Sequence, residues 1–176
     1  PDYRLPPAWF EVLDWAVRHA LDHDLLAVLD MHEFKAMGDN AEGKHDRFMA
    51  FWTQLSQHTQ GAPDRVLFEL LNEPCRTLTP ELWNRYLREA HSLVRKIHPD
   101  RTLIIGPAHW YSLDHLDTLN LPEVDRNIIA TLHYYNPQPF THQGATSSDY
   151  QNTVGTEWLG TEKEKAAIRR DFEVPQ

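Results

Sequence analysis

Apolar residues along this chain follow two alternating rhythms. Across residues 7–23, Trp9, Val12, Leu13, Ala16, Ala20 and Leu21 fall at three- and four-residue steps, as one face of a helix requires. The run LLAVLDMH that follows, residues 25–32, is short and almost unbroken, which predicts a buried parallel strand. Asp30 and His32, two residues apart near its end, share one face. The polar stretch KAMGDNAEGKHD predicts a loop, and residues 48–58 a second helix that stops near Gly61-Ala62-Pro63. VLFELLNE, residues 66–73, predicts the next strand. Thr79-Pro80-Glu81 then opens a long helix, with Thr79 as N-cap and Pro80 in the first turn. Its face is Leu82, Tyr86, Ala90, Leu93, Val94 and Ile97, and it ends before His98-Pro99. TLIIG predicts a third strand. NIIATLHYY, residues 127–135, predicts a fourth, in which Ile129, Thr131, His133 and Tyr135 share a face. After a loop rich in Asn, Pro, Gln, Thr and Ser, residues 162–172 predict a last helix.

Strands alternating with helices are the pattern of βαβ units in a parallel sheet. Only four strands are predicted, whereas a complete eight-stranded barrel typically takes about 250 residues. The pattern therefore fits a small open α/β sheet or half of a barrel. With 176 residues and 41% hydrophobic content, one domain over residues 1–176 is expected. A formal net charge of -9 and the lack of a basic stripe argue against a nucleic-acid partner. No run of 18 apolar residues exists, so no membrane partner is expected. Cys75, the only cysteine, leaves the redox compartment open. Six Trp and six Tyr offer flat apolar faces suited to stacking on neutral rings such as sugars.

The polar residues choose between the two architectures. Those with useful chemistry fall at the ends of three predicted strands: Asp30 with His32, Asn72 with Glu73, and His133 with Tyr135. Strand tips are where barrel enzymes keep their sites. Adjacent residues on a regular strand face opposite ways, so Asn72 and Glu73 can serve one site only if a bulge intervenes or the strand stops there. Pro74 fits a strand that stops, and it is expected to hold Glu73 extended.

LFELLNEP followed by HYYNPQPFTHQGA closely resembles the cellulase-type enzymes of glycoside hydrolase family 5. VLDMH is similar to that family's preceding strand, and WLGTEKEKAAIRRDFE resembles the helix before its nucleophile strand. The resemblance implies a TIM (β/α)₈ barrel, here incomplete, and retaining hydrolysis of a β-1,4-linked polysaccharide such as cellulose. It implies Glu73 as general acid/base and Asn72 as the hydrogen-bond partner of the sugar 2-hydroxyl. By the same resemblance His32, His133, Tyr135 and Trp110 bind substrate, Tyr135 also orienting the nucleophile. The chemistry agrees: a protonated carboxyl must sit beside the leaving oxygen, with a second carboxylate about 5–5.5 Å away. The family's nucleophile segment has no counterpart in this sequence, and Glu157, in VGTEWLGT, follows no strand and is not given that role. The chain is thus expected to be an internal piece covering the third to sixth barrel strands, of a parent that the resemblance implies is secreted.

Other readings remain at this point. Eleven His invite a metal, but no HExxH or paired-His spacing occurs, so neither metal nor cofactor is expected. Trp9, Trp15, Trp52 and Trp83 lie in helical segments and are expected to pack, whereas Trp110 and Trp158 are placed to stack on sugar. Glu69 shares parity with Glu73 and is expected inside the barrel as a structural polar residue, and the loop acids Glu33 and Asp39 in solvent. The alternative to hydrolysis is a catalytically incomplete chain that binds sugar without cleaving it. Oligomeric state is left open.

Overall fold

Four strands, β1 (Ala27–Asp30), β2 (Val66–Glu69), β3 (Leu103–Ile105) and β4 (Ile128–Ala130), lie side by side in chain order in a computed structural model of the protein. All neighbours are parallel; Asp30 pairs with Glu69, Glu69 with Ile104, and Ile105 with Ala130. The structure describes residues 3–32 and 34–173, so the expectations for Glu33 and for the two chain ends lie outside the described residues.

Helix α1 (Pro7–Asp22) precedes β1, α2 (Lys35–Asp39) and α3 (Ala41–His58) lie between β1 and β2, and α4 (Pro80–Ile97) lies between β2 and β3. Thr79 caps α4 as expected, its hydroxyl accepting from the Leu82 amide. The stretch expected to be a loop, residues 35–46, is instead mostly helical. Asn40 is the reason: its side chain accepts from the Gly43 amide and starts α3, while Met37 and Ala41 are buried in the core. Packing supplies what the polar composition conceals.

The core lies between α3, α4 and the sheet, and includes Phe48, Trp52, Phe68, Trp83, Tyr86, Leu87 and Leu103. Trp52 Nε1 donates to the Leu70 carbonyl and Trp83 Nε1 to the Gly106 carbonyl, each at 2.9 Å. Two helix-borne indoles thus satisfy backbone carbonyls just past β2 and β3, where the ladder ends. Trp9 packs partly against the core as expected, but Trp15 does not: it is 57% exposed and its ring lies against His19.

Beyond His133 the chain forms a second unit. It contains one helical turn, Gln138–Thr141, and α5 (Glu162–Asp171), closed at its start by a reciprocal Thr161–Glu164 capping box. Tyr134 Oη and Asn136 Nδ2 both donate to Asp171 at the far end of α5.

Candidate active site

β2 and β4 stop short of their predicted polar tips, and β1 ends on Asp30, two residues before His32. β2 ends at Glu69, so Asn72 and Glu73 belong to the irregular segment that follows, and the conflict over their facing disappears. Glu73 is not extended, as Pro74 suggested, but left-handed at φ 48°. The residue is held there by tertiary contacts: its carboxylate is bonded to His133, and the Pro74 carbonyl accepts the Trp110 amide at 3.2 Å. β4 likewise ends at Ala130, with His133 joined only through an isolated parallel bridge to Ser112.

The centre of the site is the pair Glu73 Oε1 and His133 Nδ1, 2.6 Å apart, both side chains little more than a quarter exposed. Sixty residues separate them in sequence. At the tip of β1, Asp30 Oδ2 holds His32 Nδ1 at 2.5 Å, orienting a ring that is otherwise largely exposed. Burial raises the Asp30 carboxyl above its usual range, although His32 and His133 pull it down. Burial, followed by the charge of Asp30, raises Glu69 too. These two acids are direct neighbours across the β1–β2 ladder, and Asp30 Oδ1 is buried without a hydrogen-bond partner among the described residues. Glu69 is half-buried.

A cleft of about 240 Å³ gathers the strand-tip residues, with His32, Asn72, Glu73 and Trp110 in its wall beside Phe34, Met37 and Arg76. Trp110 is half exposed there. Four of the six sequence-predicted site residues therefore share one cleft, and His133 reaches it through Glu73. Tyr135 lies in the second unit, about half exposed, with its ring against His142. Trp158 is also in that unit, beside Gly160. A larger hollow of about 610 Å³ opens where α3 and α4 begin, but its wall holds Asp39, Glu42, Glu81 and Arg85, with no aromatic face and no strand-tip residue. Size does not make it the site. Among the described residues no group of three or more His, Cys, Asp or Glu could hold a metal ion, and no helix is long and apolar enough to cross a membrane.

Sequence reasoning missed Tyr111. It is fully buried, and its hydroxyl donates to the Leu71 carbonyl just before Asn72-Glu73. It lies in a run of three left-handed residues, His109, Trp110 and Tyr111, which nothing in a sequence of non-glycine residues announces. The only signal was its place just after the third strand.

Parallel strands, interleaved with helices, that bring an acid, an amide and imidazoles to one end define an incomplete (β/α)₈ barrel. The comparisons with known proteins agree. The chain belongs to the cellulase family, glycosyl hydrolase family 5, which matches residues 1–171. It is 27% identical over 155 residues to Endoglucanase H of Acetivibrio thermocellus, covering 88% of this chain and 16% of that protein. It is 30% identical to Cellodextrinase A of Ruminococcus flavefaciens, covering 76% of this chain and 43% of the relative. Among solved structures, Thermotoga maritima Cel5A in complex with mannotriose superimposes with a TM-score of 0.92 at 34% identity, covering 98% of this chain and 56% of that one. The chain thus spans little more than half the length of this solved relative, and less of the two curated ones.

Proposed function

We propose that this chain forms part of a retaining glycoside hydrolase acting on a β-1,4-linked polysaccharide such as cellulose, with Glu73 as general acid/base. The observation that carries the proposal is the Glu73–His133 pair, 2.6 Å apart, with Glu73 in the wall of the strand-tip cleft. Glu73 gives its proton to the glycosidic oxygen as the bond breaks, then takes one from the attacking water in the second half of the reaction. His133 meets the carboxyl through Nδ1 and keeps it aimed in both states. Asn72 can donate to and accept from a sugar hydroxyl without adding charge. The ring of Trp110 offers a stacking face, and the imidazole of His32, oriented by Asp30, lines the same cleft. Tyr135 is assigned to the substrate and the nucleophile by family resemblance. The nucleophile is a carboxylate other than Glu73, and the four strands stand for the third to sixth of the barrel.

Family membership and the names of the relatives support a cellulose-type substrate. Solved relatives hold cellobiose and mannotriose, so an oligosaccharide of either kind is a reasonable occupant for this cleft. Replacing Glu73 by Gln in the native polypeptide tests the assignment. Hydrolysis of a soluble β-1,4-glucan is expected to fall by about 10²–10⁴-fold, the usual worth of a positioned general acid, with the fold retained. Near-normal hydrolysis would remove Glu73 from the mechanism.

A further inference from the structure

We infer that Tyr111 is a positioning residue for the Glu73–His133 pair, acting on both partners without touching substrate; the inference rests on the reading of Glu73 as the acid/base. Three separate contacts from this one residue carry it. Its hydroxyl donates to the carbonyl of Leu71, two residues before Glu73. Its own carbonyl accepts the His133 amide at 2.9 Å. Its ring meets the His133 ring edge-on, with centroids 5.0 Å apart and planes at 71°. The acid and the imidazole come from segments sixty residues apart, and Tyr111 touches the segment of each.

The surroundings are shaped to this ring. A Cβ on Gly106 would lie 2.4 Å from a Tyr111 ring carbon, so only glycine there lets the ring seat. The Trp83 indole fixes the Gly106 carbonyl at 2.9 Å from behind. The backbone of Tyr111 is left-handed at φ 58°, a conformation that a bulky residue keeps only where its surroundings over-determine it. A core phenyl would fill the same space, but a phenol brings one proton to a fully buried position. That proton meets the Leu71 carbonyl, with the Glu69 carboxylate as a competing acceptor. Burial first, and the charge of Glu69 second, push the phenol upward, so it remains a donor at working pH.

Tyr111→Phe tests this, because it keeps the ring, the His133 packing and the backbone carbonyl and removes only the hydroxyl. In the native polypeptide, kcat on a soluble β-1,4-glucan is expected to fall about tenfold with KM within about twofold, since misplacing a catalytic group affects the transition state more than binding. A purely structural phenol would lower the melting temperature and leave kcat of the folded enzyme unchanged, and that result overturns the inference. Should Tyr111→Phe not fold, Gly106→Ala is read in the same way: it displaces the ring while keeping the hydroxyl, and unchanged kcat again overturns the proposal. Glu73→Gln measured in parallel separates the two levels. Normal hydrolysis in that variant removes the acid/base reading itself, whereas its loss beside a normal Tyr111→Phe removes only the positioning role.

Discussion

At the scale of residues, the acids at the ends of β1 and β2 are unequal in cost and in use. Glu73 and Asp30 are each paired with an imidazole, His133 and His32 respectively, but Asp30 and Glu69 also face each other across the ladder, and burial lifts both of these carboxyls. A carboxyl raised in the fold binds its proton more tightly folded than unfolded, so stability grows as pH falls and is lost as pH rises through the folded value. Glu69→Gln removes that penalty. It is expected to raise the melting temperature near about pH 7, and the gain should shrink as pH falls and vanish toward about pH 3, where the carboxyl is protonated in both states. A variant that melts at or below the wild-type temperature at neutral pH would mean that Glu69 is held by contacts worth more than its desolvation. The presence of Asp30, Glu69 and Glu73 near one sheet end was legible from strand parity. That Glu73 would gain His133 as its partner was not, because His133 arrives from another segment of the chain.

Elements follow local preference until a long-range contact outweighs it. Helix α4 was legible from Thr79-Pro80 to its end, since capping and periodicity are local. The face it buries is slightly rotated from expectation: Trp83 and Leu87 are fully buried, while Leu82 and Leu93 are only partly so. The far end of α4 is tied to the segment entering β4 by Asp125, which accepts from His91 and Arg95 at 2.6 Å each and from the Asn127 amide at 2.8 Å. Burial alone would raise the Asp125 carboxyl, but these donors, Arg95 foremost, bring it down to about 2. A carboxyl lowered in the fold stabilises above its unfolded value and loses that contribution as pH falls through the folded one. Asp125→Asn is therefore expected to cost about 2 kcal/mol in urea denaturation at neutral pH, with the difference closing between about pH 4 and pH 2. An equal loss at every pH would assign the effect to packing instead. The bond to the Asn127 amide is local, but nothing local marks Asp125 for joining α4, since His91 and Arg95 lie 34 and 30 residues away.

For the whole molecule, the sheet order makes one physical demand. Among the described residues β1 and β4 each have a neighbour on one side only, and Val28 and Ile129 are about half exposed on them. Unpaired parallel edges are templates for further strand pairing. The 176-residue chain produced by itself is expected to self-associate in light scattering, and Val28→Lys on the β1 edge to reduce the association. A monodisperse monomer without the substitution would show that these edges are already blunted. What the sequence determined by itself was the alternation of strands and helices and the chemistry near the strand ends, because both rest on backbone periods of two and 3.6 residues. Only the tertiary structure decided where each strand stops, the left-handed turn of Glu73, the pairing of Glu73 with His133 and the place of Tyr111. Those features are held by contacts between distant segments, which hold residues in conformations that their local preferences disfavour.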